Sequence, residues 1–174
     1  MSSYWAFFFT IMAKEIQLTQ GKVALVDDAD YKRVLSFGKW HYHKNGYAII
    51  QKSFKNIHGT WCVNVIRMHR IILNAQDGQF VDHSNGDKLD NRKTNIRICT
   101  GIENRRNVGI RKNNKSGYKG VFFWKARNKF TTQIWFENKK IHIGVFKNII
   151  DAARAYNEAA IKYHGEFANL NKID

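Results

Sequence analysis

The sequence predicts an α+β chain: a β-rich N-terminal region that ends in a strand–loop–strand–helix module, followed by a three-stranded antiparallel sheet packed on one helix. Three observations predict this. Short alternating apolar stretches recur from Glu15 to Ile66, punctuated by Gly and Asn turns. Three more alternating stretches follow closely between Tyr118 and Phe146, too near together for helical crossovers. Finally, Ile149, Ala152, Ala153, Tyr156, Ala160 and Tyr163 share one stripe at helical spacing.

Taken in order, Glu15–Leu18 and Lys22–Val26 read as a hairpin around Gln20-Gly21. Asp27-Asp28 is expected to cap a short helix through Tyr31, Val34 and Leu35. Trp40–His43 and Tyr47–Gln51 flank Lys44-Asn45-Gly46, and Asn-Gly is a strong hairpin signal. Trp61–Ile66 alternates as a strand and Met68–Leu73 reads as a short helix. Val81 ends a strand, Ser84–Asn91 is a polar loop, and Ile96–Cys99 is the return strand. Thr100 caps the next helix, with Glu103 placed for a capping box. Residues 108–115 are basic and lack apolar spacing, as a linker would. Strands over Tyr118–Trp124, Phe130–Glu137 and Lys140–Phe146 precede a helix over Asn148–His164 capped by Asn148. The chain contains no proline, so glycine, Asn and Asp must make its turns. The expected organisation is a disordered extension over 1–13, one domain over 14–107, the linker, and a second domain over 116–171.

Length and composition suit one or two small folded domains: 174 residues, 44% hydrophobic. The charge is exceptional, with 29 Lys and Arg against 14 Asp and Glu and a formal net charge of +15. A polyanionic partner is expected, nucleic acid before an acidic membrane, since no long basic amphipathic helix appears. From Arg105 to Lys147 twelve basic residues meet a single acid, Glu137. Cys62 and Cys99 lack CxxC spacing, which argues against structural zinc and for small buried residues in a reducing compartment. The apolar segment Trp5–Met12 is too short to span a bilayer, which takes ~20 residues, and has no basic leader or cleavage site. The expected location is the cytoplasm of a bacterial or phage-infected cell, without secretion.

The chemistry-bearing stretch is Val81-Asp82-His83-Ser84-Asn85-Gly86-Asp87, followed by Asn95-Ile96-Arg97 and Asn104. A carboxylate and an amide oxygen can hold a hard cation, and an imidazole can take a proton from water near neutral pH. In a chain this basic, such parts point to phosphodiester hydrolysis.

Residues 68–107 resemble the HNH endonucleases of the phage and bacterial homing type. The resemblance rests on Met68-His69-Arg70, Val81-Asp82-His83, Asn85-Gly86-Asp87, Asp90-Asn91, Asn95-Ile96-Arg97 and Asn104. It implies a ββα-metal module over about 66–107 with one Mg²⁺ or Mn²⁺ held by Asp82 and Asn104. His83 would be the general base, and Asn95 would brace the loop or orient His83. His69 would contact phosphate, orient the site or pack, and Arg70 and Arg97 are phosphate-contact candidates.

Residues 116–171 resemble the plant Apetala-type (ethylene-response-factor) DNA-binding domain. Here the matching residues are Gly117-Tyr118-Lys119-Gly120-Val121, Ile143-Gly144-Val145-Phe146, Asp151–Asn157, Ala159-Ala160, Gly165 and Asn171. This resemblance implies that the sheet lies in the major groove of double-stranded DNA. Arg105, Arg106, Lys119, Trp124, Arg127, Lys129, Thr131, Gln133 and Lys140 are the candidate contacts; for Phe122, Trp124 and Trp135 core packing is an equal alternative. Phe122 and Gln133 depart from the plant pattern, so the plant target sequence is not implied. The combination predicts a site-specific endonuclease, possible as a monomer. The alternatives are a non-catalytic DNA-binding regulator and an RNA-binding protein.

Overall fold

The computed structural model describes residues 13–173. Residues 1–12 of the expected extension lie outside that range, whereas Ala13 opens the first strand. The fold is mixed α+β, and among the described residues there are four small sheets and four α-helices. The chain divides into two compact units between Ile98 and Cys99, ahead of the expected linker, so residues 108–115 belong to the second unit.

In the first unit, β1 (Ala13–Gln17) and β2 (Val23–Asp27) form the expected antiparallel hairpin. Helix α1 (Asp28–Leu35) begins at Asp27, but the Asp27 side chain does not cap it. Its Oδ2 instead accepts the Lys93 backbone N–H at 2.8 Å, tying a distant loop to this corner. β3 (His41–Tyr42), β4 (Ala48–Lys55) and β5 (Trp61–Arg67) make a three-stranded antiparallel sheet. Helix α2 (Met68–Ile72) follows directly and is held to α1 by Arg33, whose guanidinium donates to the carbonyls of Ile71 and Ile72. The core gathers Ile16, Val26, Val34, Trp40, Ile50, Met68, Ile72, Val81 and Ile96. Trp40 fits there because its indole N–H reaches the Val34 carbonyl, leaving no buried donor unpaired. β6 (Phe80–His83) and β7 (Ile96–Cys99) form a two-stranded sheet.

The second unit opens with α3 (Gly101–Arg106), where Thr100 and Glu103 make the expected capping box, worth about 1 kcal/mol. β8 (Val121–Trp124), β9 (Lys129–Phe136) and β10 (Lys139–Phe146) form an antiparallel sheet with β9 central. Helix α4 (Ile149–His164), capped by Asn148, packs on one face. Ala152, Ala153 and Ala160 are fully buried there, and their short side chains let the helix axis lie close to Val121 and Ile134. Gly120 is required at the closest approach. A Cβ there would sit 2.1 Å from the Tyr156 ring and 2.7 Å from the Gln133 carbonyl, at a φ of +76°.

Candidate active site and nucleic-acid face

Asp82 and His83 end β6, where the chain leaves the sheet for a twelve-residue polar loop. Both are buried, each 5% exposed. The loop is held by its own Asn and Asp side chains. Asn85 Oδ1 accepts the Asp87 N–H, Asp87 Oδ1 accepts the Leu89 N–H, and Asn85 Nδ2 donates to Asp90. Asp90 is fastened by Arg92, which keeps its carboxyl below the usual carboxylate range. Gly86 supplies the positive φ where the chain turns back to the His83 carbonyl. Asn95 spans the loop: its Oδ1 accepts the Asn85 N–H and its Nδ2 donates to the Asp90 carbonyl. The far side runs beside β2, where Leu25 N–H donates to Leu89 and Asn91 N–H donates to Leu25.

The side chain beside the His83 ring is that of Asn91, not Asn95. Asn91 is 1% exposed, its Nδ2 donates to the Leu89 carbonyl, and its Oδ1 stands 3.4 Å from His83 Nε2. That orientation favours the tautomer with the proton on Nε2. Its burial comes from the β2 pairing, which no local pattern around Asp90-Asn91 announces. His69, on α2, meets His83 edge-on with ring centroids 5.1 Å apart, and Tyr47 stands 5.1 Å from His69 and 6.1 Å from His83. Tyr47 is a second residue that sequence reasoning missed; it follows the Asn-Gly turn as an ordinary strand aromatic. Burial pushes the His69 imidazole down to about 3, with the positive charges of His83, Arg67 and Arg70 acting in the same direction. Burial also lowers His83, against the raising effects of Asn91 and nearby carboxylates.

Asp82 Oδ2 accepts two bonds from Arg97 on β7, from Nε at 3.0 Å and Nη2 at 2.7 Å. Arg97 thus sits on the carboxylate. Arg70 is also committed locally: its guanidinium donates to the carbonyls of Ala75, Gln76 and Gln79 and shapes that turn. Asn104 lies on α3 in the second unit, half-buried. Among the described residues no cluster of three or more His, Cys, Asp or Glu could hold a metal. A cation bound through Asp82 and an amide oxygen would therefore draw most of its shell from water and phosphate, which suits Mg²⁺.

The sheet of the second unit turns one face to α4 and the other outward. On β9, Thr132 and Ile134 are buried toward the helix, while Lys129, Thr131, Gln133 and Trp135 alternate with them. Cross-strand partners complete the outer face: Trp124 opposite Lys129, Phe122 and Val145 opposite Thr131, His142 opposite Gln133, and Lys140 opposite Trp135. Phe122, Trp124 and Trp135 are exposed, Trp135 to 62%, so core packing does not account for them. The Arg127 guanidinium lies 4.4 Å over the Trp124 ring. Arg105 is exposed on α3, and Arg106 stacks 5.3 Å from the Phe136 ring. Lys119 is placed differently from the other candidates. Its ammonium donates to the carbonyls of Arg106 and Val108, at 2.7 and 2.6 Å, and burial lowers it to about 8. It pins the segment after α3 to the second unit, whose core boundary is therefore earlier than composition suggests.

Both halves have counterparts among known proteins. The chain is 28% identical over 96% of its length to an uncharacterized HNH endonuclease of Acanthamoeba polyphaga mimivirus, covering 82% of that protein. It is 28% identical over 93 residues to Protein 3.8 of Escherichia phage T7, covering 76% of that protein. Over 56 residues it is 39% identical to APETALA2-like protein 2 of Oryza sativa, where the match spans 13% of the plant protein. No family model and no solved structure matches the chain. Among the described residues no helix is long and apolar enough to cross a membrane.

Proposed function

We propose that this chain is a site-specific DNA endonuclease of the mobile-element type, hydrolysing phosphodiester bonds in a ββα-metal site. The observation that carries the reading is the buried, braced Asp82-His83 pair at the end of β6, with the His69 ring packed edge-on against His83. His83 takes the proton from the attacking water, which a neutral imidazole can do without first losing its own charge. Asn91 and the edge of His69 fix the plane of the His83 ring, so the base meets water in one orientation. Asp82 would be a ligand of one Mg²⁺ or Mn²⁺, which when bound would stabilise negative charge on the phosphate and leaving oxygen. Arg97 tethers the Asp82 carboxylate. The outer sheet face, with Trp124, Arg127, Lys129, Thr131, Gln133 and Lys140, holds double-stranded DNA, since a β-ribbon surface fits the major groove.

Supercoiled-plasmid cleavage tests this. The wild-type chain nicks or linearises plasmid with Mg²⁺, and His83→Ala lowers the rate by ~10²–10⁴ while DNA binding persists. Undiminished cleavage by the variant would sink the assignment. One observation favours a second reading, a DNA-binding regulator without catalysis: Arg97 already occupies Asp82 Oδ2. A chain that shifts DNA yet never nicks it with Mg²⁺ or Mn²⁺ would select that reading.

A further inference from the structure

The β4–β5 hairpin serves no purpose described so far. Beyond Ile50, the five pairs from Gln51↔Val65 to Lys55↔Trp61 continue the ladder. At ~3.4 Å per residue they extend it by about 17 Å. A strand packed on one side would bury alternate residues, but here neither set is buried: Lys52 and Phe54 are exposed on one face, and Val65, Val63, Lys55 and Trp61 on the other. The tip is nevertheless built. Asn56 Oδ1 accepts the N–H groups of His58 and Thr60, and Ile57 stands 95% exposed at its end. An uncovered two-stranded hairpin is marginally stable in water, so such a ribbon is expected to gain a partner.

Charge identifies that partner. No Asp or Glu occurs between Asp30 and Asp77, a stretch with eight Lys and Arg, of which Lys52, Lys55 and Arg67 lie on the ribbon. The Lys55 ammonium lies 5.3 Å over the Trp61 ring, so cation and aromatic are presented together. A two-stranded ribbon fits the ~12 Å major groove of duplex DNA, where apolar side chains can meet thymine methyls and flanking lysines the phosphates.

We propose that the β4–β5 ribbon is a second DNA-binding element, entering the major groove with Trp61, Val63 and Val65 toward the base edges, while Lys55 beside Trp61 and Lys52 on the opposite face reach past the ribbon's edges to the phosphates. The proposal rests on the reading of the chain as a DNA-acting protein and adds a contact that the C-terminal sheet does not supply.

The test is binding of the full chain to a mixed-sequence duplex in EDTA over a range of salt, with protection of guanine N7 in the major groove from methylation as a second readout, comparing wild type with Lys52→Gln/Lys55→Gln and with Trp61→Ala. All three positions are exposed, so the fold should survive, which circular dichroism checks. The expected result is at least tenfold weaker binding for the double variant and a log–log salt slope shallower by about 2, at ~0.9 per phosphate contact. Trp61→Ala should lose part of the guanine-N7 protection with less change in slope. Unaltered affinity, slope and protection in folded variants overturn the proposal. So does a change from dimer to monomer in Trp61→Ala with DNA binding intact, which would make the ribbon a self-association arm. Because EDTA removes cleavage from the readout, the two readings fail separately. Ribbon-dependent binding without any nicking in Mg²⁺ overturns only the nuclease, whereas normal nicking with ribbon-independent binding overturns only the ribbon.

Discussion

At the end of β6, Asp82, His83, Asn91 and Asn95 are buried and answered by neighbours. On the outer face of β8, β9 and β10, Trp124, Trp135 and Lys140 are exposed and Lys129 and Gln133 half-buried. The first arrangement spends hydrogen bonds on holding a few atoms in one geometry, as a reacting site needs. The second leaves its groups unspent, as a surface needs when its partner is to supply the bonds. Lys119 departs from the second arrangement: it belongs by sequence to the reading face, but its ammonium is taken by two carbonyls.

That contrast can be broken in graded ways. The largest effect is expected at His83, where alanine removes the base and cleavage falls by orders of magnitude with binding unchanged. Next is Gly120→Ala. The added methyl meets the Tyr156 ring and the Gln133 carbonyl at a left-handed φ, which should cost about 3 kcal/mol. Denaturant unfolding reads the loss, and an unchanged midpoint would mean that α4 is not seated on the sheet as described.

A smaller effect is expected with acid. The folded His69 titrates at about 3 against 6.5 for the free side chain. Between those values the unfolded chain binds a proton that the folded chain refuses. Its contribution is therefore present above pH 6.5 and is lost as pH falls toward 3, by at most about 1.4 kcal/mol per unit. His83 and His164 are shifted in the same direction. Unfolding measured against pH should fall through this window, and His69→Gln should flatten the slope. A slope identical to wild type would mean that His69 is not buried as a neutral ring. Smallest for stability is Trp135→Ala on the outward face, expected within about 0.5 kcal/mol, whereas duplex affinity should drop about tenfold. A stability loss of several kcal/mol there would return Trp135 to the core.

Much of the local structure is legible in the sequence because its causes are local. Periodicity two marks β1, β2, β5 and the three strands of the second unit. The Thr100–Glu103 box marks α3, and the alanine stripe marks α4. Asp27 shows where such reasoning stops: the residue type and position suit a cap, but its carboxylate is taken by Lys93, 66 residues on in sequence.

Adjacency by itself determined the Asp82-His83 pair, and composition made a polyanion the expected partner. Which amide stands against His83 depended on the loop pairing with β2, which buries Asn91 and sends Asn95 across the loop. Tertiary packing also decided that Trp135 faces solvent and that Lys119 points inward. Hydrogen bonds and burial between residues far apart in the chain leave no periodic trace in the sequence around them.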